Sequence, residues 1–147
     1  MPNPTIQSVV FQVGAAEADK LRVAWPATQA RYASQLAARQ VEPGQALGQA
    51  LDQWAASYTA FNNLVSELIH AKGPWTSIAP LVRAKIKTAA RALQMDSAAV
   101  ARDAATSLSA IQALGDPAEK DLASVLTAIT RRAADHQQRA ALTARAR

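Results

Sequence analysis

Cysteine is absent from the 147 residues. No disulfide framework, thiol nucleophile or cysteine-ligated metal site is therefore available to this chain. Histidine is nearly absent as well. Only His70 and His136 occur, in no H-E-x-x-H pattern and never two within one helix turn. The five glycines (14, 44, 48, 73 and 115) form no G-x-G-x-x-G or phosphate-binding loop, and no serine sits in a G-x-S-x-G elbow. Acids are sparse. No enzymatic activity, metal or cofactor is expected. No run of about 18 uncharged apolar residues occurs, so no membrane span is predicted. Met1-Pro2-Asn3-Pro4 lacks the basic and apolar regions of a signal peptide, and export by one is not expected.

Large apolar side chains are also scarce. Leu, Ile, Val and Phe make up about a fifth of the chain and alanine alone about a quarter. That is close to the level at which chains stop folding alone. An alanine-rich helical core is one solution, since small side chains let helices approach closely. Completion of the core by a partner or a second copy is the other. The length fits one domain.

Bases are plentiful, and their distribution matters more than the net charge of +5. Glu42 to His70 holds three acids (Glu42, Asp52 and Glu67) and no Lys or Arg. Pro80 to Arg102 holds five bases against Asp96, and Arg131 to Arg147 holds five against Asp135. Segregated bases either solvate a surface or meet a polyanion, because phosphates attract Lys and Arg without any motif.

The pattern along the chain predicts an all-α fold: an extended arm over 1–14, then one helical domain over 15–147. Pro2 and Pro4 favour extended backbone. Val9, Val10, Phe11 and Val13 are β-formers, which suit a short strand or an arm ordered by another subunit. Residues 15–41 read as a helical hairpin kinked at Pro26, with Lys20, Arg22, Arg31 and Arg39 as its bases. Residues 44–147 read as a four-helix bundle. Leu47, Leu51, Trp54, Tyr58, Phe61, Val65 and Leu68 alternate spacings of four and three, predicting a helix over Gln45–Ala71 with its aromatics in the core. Gly73-Pro74 is its stop signal. A helix over Ser77–Gln94 carries Arg83, Lys87 and Arg91 four apart as one basic stripe. Asp96 or Ser97 is placed to cap a fourth helix ending at Gly115, and Asp116-Pro117-Ala118-Glu119 to open the last. That last helix buries Leu122, Val125, Leu126, Ile129 and Ala133. Beyond Asp135 its seam fades, so its end is expected to project, with His136 on a polar face.

Phe61-Asn62-Asn63-Leu64-Val65-Ser66-Glu67-Leu68-Ile69 resembles a helix segment in the coat proteins of rod-shaped tobamoviruses, over less than a tenth of the chain. The layout of extended arm, basic kinked helices and helical bundle is similar to the major capsid proteins of filamentous archaeal viruses, whose arms wrap double-stranded DNA. That resemblance implies a self-assembling structural protein of a virion that coats DNA without reading its sequence, located in a virion or the cytoplasm. Its phosphate contacts would come from Lys20, Arg22, Arg31 and Arg39, the favoured set, or from Arg83, Lys87 and Arg91. A small helical adaptor, chaperone or phage accessory protein, binding another protein in a helical groove, is the alternative from a different class.

Overall fold

The computed structural model describes residues 4–10, 20–28, 30, 45–113 and 120–147. They are all-α: α1 (Ile6–Val9), α2 (20–28), α3 (Gln45–Val65), α4 (Pro80–Gln112) and α5 (Lys120–Ala144), with a 3-10 turn at Trp75–Ser77. Arg31, Arg39, the stop at Gly115 and the capping run Asp116–Glu119 lie outside the described residues.

Three heptad strips carry the packing of α3, α4 and α5. On α3 the strip is Leu47, Leu51, Trp54, Tyr58, Phe61 and Val65, all buried. The aromatics are therefore core, as their spacing predicts, and do not form a stacking platform. On α4 the strip is Ile86, Ala90, Leu93, Ser97, Val100, Ala104 and Ile111. On α5 it is Leu122, Leu126, Ile129, Ala133, His136, Ala140 and Thr143. Sustained spacings of four and three keep one face of each helix directed at its neighbours, as in coiled-coil packing. α4 packs against both α3 and α5, and more extensively against α5. Alanines at 90, 104, 133 and 140 are buried on the strips of those two helices.

The loops follow from local chemistry. After Val65 the backbone tightens into i→i+3 bonds, Leu68 N–H to Val65 O at 2.8 Å and Ala71 N–H to Leu68 O at 3.0 Å. The helix predicted to reach Ala71 thus ends as turns. Gly73 follows at φ 118°, a left-handed conformation that side-chain-bearing residues rarely adopt. The helix predicted from Ser77 starts later, because Pro80 supplies the pre-formed first position.

Four expectations are corrected. The break at Asp96/Ser97 does not exist: α4 runs through it for 33 residues. Nothing between 81 and 112 is Gly or Pro. Asp96 does not cap a helix; its carboxylate accepts the Ser57 hydroxyl of α3. The expected third and fourth helices are therefore one. Secondly, of the kink or helix–turn–helix expected at Pro26, the turn does not fall there: helical backbone continues through Pro26 to residue 28, and Thr28 bonds back to Ala24 O at 2.7 Å. Thirdly, the end of α5 does not project. His136, Ala140, Thr143, Ala144 and Ala146 are buried. Fourthly, residues 4–10 are not an extended arm. Ile6 N–H bonds to Gly73 O and Trp75 N–H to Pro4 O, both at 2.9 Å. The single helical turn α1 follows, capped by Thr5 Oγ1. Ile6, Val9 and Val10 are buried, and Thr143 Oγ1 donates to Val9 O. Over 4–10 the segment gains its order from its own chain, because the end of α5 and the Gly73 turn offer the burial those side chains need.

Ile6→Ala is accordingly expected to cost about 2–4 kcal/mol. Met95→Ala, at a side chain 73% exposed, is expected to stay within about 0.5 kcal/mol of wild type. Urea denaturation at two protein concentrations checks both. The Ile6 effect should not depend on concentration, as it would if another subunit supplied the contact.

Candidate nucleic-acid interface

Residues 83, 87 and 91 recur every four positions on α4, a rise of about 6 Å per step along one face. Their side chains, with the Trp75 indole, border a cleft of about 330 Å³ into which the chain brings Arg147 after α5. Arg83 is oriented: its Nε–H donates to Ile78 O at 3.0 Å, leaving both Nη groups for another acceptor. Like charges four apart on a helix cost only a few tenths of a kcal/mol per pair, so the stripe alone does not demand a ligand. The convergence of a fourth base, Arg147, on the same cleft is the additional observation. Among the described residues no acidic side chain lines this cleft or is ion-paired with its bases.

The bases of the predicted hairpin separate. Arg22 lies 4.0 Å from the Asp52 carboxylate on α3, both groups well exposed. Lys20 instead borders a second cleft of about 300 Å³, where Leu21 and Ala128 form apolar wall and Arg131 and Arg132 of α5 approach. The docking of α2 explains this. Buried Trp25 anchors it in the core, while Arg22 faces α3 and Lys20 faces α5. Arg31 and Arg39 fall outside the described residues. The acids collect elsewhere: Asp52 and Asp96 line a groove between α3 and α4 with Gln49 and Gln53. The α4 stripe is legible in the sequence from its period of four. The approach of Arg147 to it and the meeting of Lys20 with Arg131 are not, since both arise only when helices far apart in sequence pack together.

His136 is the one strongly perturbed titratable group among the described residues. It occupies the α5 strip between Ala133 and Ala140, 4% exposed, not the polar face predicted for it. Its ring lies 5.2 Å from that of Trp54, tilted by 51°, and 5.5 Å from that of Tyr58, near-parallel at 26°. Nδ1 has no hydrogen-bond partner among the described residues. Burial lowers its pKa from 6.5 to about 4; Asp135 opposes the shift, and Arg132 and Arg139 add to it. The imidazole is thus neutral near pH 7 and closed off from any substrate. Among the described residues no group of three or more His, Cys, Asp or Glu is placed to hold a metal ion.

The buried imidazole sets a pH dependence. Folded His136 resists the proton that the unfolded chain accepts, so its effect on stability is absent above about pH 6.5. Stability falls as pH drops from there towards 4, by up to about 3 kcal/mol. His136→Phe should remove that part of the acid sensitivity. The difference between variant and wild-type urea midpoints, followed from neutral to acid pH, checks it; parallel curves would contradict it.

No protein-family model, curated protein or solved structure matches the chain.

Proposed function

We propose that the chain is a non-enzymatic structural protein that coats or packages nucleic acid, DNA in the first instance, through sequence-independent phosphate contacts, and that it associates with copies of itself. The observation that carries this reading is the cleft of Arg83, Lys87, Arg91 and Arg147, which gathers four basic side chains with no acidic side chain among its lining residues. Such a site meets phosphate oxygens and positions a backbone; it has no means of reading base edges. Arg83 fits the role best, because its held Nε aims a planar fork of donors. The fully buried Trp54 and Phe61 and the nearly buried Tyr58 leave no aromatic surface on α3 for base stacking.

Self-association is supported by large apolar side chains left at the surface, Leu81 at 69%, Met95 at 73% and Leu142 at 61% exposure. The proposed contact set shifts from the hairpin towards α4, since Arg22 already faces Asp52.

Binding to duplexes of unrelated sequence should be equally strong and should fall steeply with salt. Arg83→Ala with Arg91→Ala should weaken all of them alike and reduce the slope of log affinity against log salt by about 1.8, at about 0.9 for each phosphate no longer neutralised. Fluorescence anisotropy across a salt series reads this. Affinity that ignores salt, or survives the double substitution with its slope intact, would refute the assignment.

A further inference from the structure

The second basic cleft has no part in the contact set just described, and its composition is of the same kind. Lys20 comes from α2 and Arg131 and Arg132 from α5, more than a hundred residues apart in sequence, around about 300 Å³ of space. Arg132 already has a partner of its own. Lys20 and Arg131 are exposed and form no ion pair among the described residues. The nearest acid along α5, Asp135, is committed to Arg139 at 3.2 Å. The two clefts share no lining residue. Along α5, Arg131 lies about 20 Å at 1.5 Å per residue before Ala144, where the helix ends beside Ala146 and Arg147.

We infer that Lys20 and Arg131 form a second phosphate-binding site, and that the protein is bivalent, holding one nucleic-acid segment at the α4 cleft and another at the α2–α5 cleft. The inference rests on the nucleic-acid reading above and adds to it. A protein with one basic face lies along a duplex. A protein with two separated basic sites ties segments together, and its bound state condenses the polyanion as well as covering it. Once the first segment is held, the second site meets the neighbouring strand at high effective concentration, so modest affinity at each cleft is sufficient. The chemistry required is a row of phosphates and nothing more, because Leu21 and Ala128 offer apolar wall and no base-reading group.

The test uses the full chain, at a protein concentration where sedimentation shows it monomeric, and two unrelated duplexes, one immobilised and one fluorescent, added in sequence at low salt. Wild-type protein should carry the fluorescent duplex onto the immobilised one. Lys20→Ala with Arg131→Ala removes two exposed side chains, so the thermal midpoint should hold. That variant should still bind a single duplex through the α4 cleft while losing capture of the second. Arg83→Ala with Arg91→Ala should also lose capture and keep residual single-duplex binding through Lys20 and Arg131. Capture that persists in the Lys20/Arg131 variant would show that self-association of one-site molecules joins the duplexes, and would overturn the inference. Wild-type binding of one duplex with no capture of a second would overturn it too, leaving the proposed function standing. Loss of all binding, even at low salt, would remove both.

Discussion

Burial of the strip from Ile86 to Ile111 on α4 is the constraint on which the rest of the helical packing depends. α4 packs against both α3 and α5, so its side chains must satisfy two partners at once. Leu93, Val100 and Ile111 each withdraw enough apolar surface to contribute about 1.5–3 kcal/mol. Ala90 and Ala104 contribute little surface but set the distance of approach. A chain with so few large apolar residues cannot spread them over several small clusters. It concentrates them in three strips that converge, and draws Ile6, Val9, Val10, Trp25 and Trp75 into the same core. The N-terminal segment is recruited for the same reason. The end of α5 carries alanines that cannot close a core by themselves, and Ile6 and Val9 supply the missing volume.

Placing the core on one strip of each helix leaves the opposite faces free to carry charge, and the clefts differ in sign although ion pairs such as Arg22–Asp52 and Arg139–Asp135 lie between them. Asp52 and Asp96 gather along the α3–α4 groove. Arg83, Lys87, Arg91 and Arg147 gather at the other edge of α4, and Lys20 meets Arg131 where α2 crosses α5. The helices fix the backbone positions of Arg83, Lys87, Arg91, Lys20 and Arg131 by their period, and Arg83 is further oriented by its bond to Ile78 O. A phosphate backbone entering the clefts has the exposed lysine and arginine stems to order, at a cost of about 1.5–2 kcal/mol each.

Legibility in the sequence tracks side-chain size and chemistry. The α3 strip is plain because every member is large and apolar. The second half of the α5 strip is not, although His136, Ala140 and Thr143 continue its spacings of three and four, because none of them reads as strongly hydrophobic. His136 is buried as a flat, neutral ring against Trp54 and Tyr58, a role that its neighbours Asp135 and Gln137 disguise. Asp96 misleads in the other direction. An acid before an apolar run resembles a cap, and only packing shows that Ser57 of α3 is its partner. Pro2 and Pro4 suggest an extended arm, but the pairing with Gly73 and Trp75 that bends the segment onto the core spans some seventy residues and has no local signature. The basic stripe on α4 is legible from its period. The clefts are not, since each needs a residue delivered by another part of the fold.

If phosphates are met at the two basic clefts and not at the acid-lined groove, the protein's own resonances will separate the three places. Amide and arginine side-chain signals, followed while a short duplex of arbitrary sequence is added, give the most direct measurement. Shifts are predicted at Arg83, Lys87, Arg91 and Arg147 and, as a separate set, at Lys20 and Arg131, with Gln49, Asp52 and Gln53 unmoved. Shifts centred on the α3–α4 groove, or none at any duplex concentration in low salt, would contradict it.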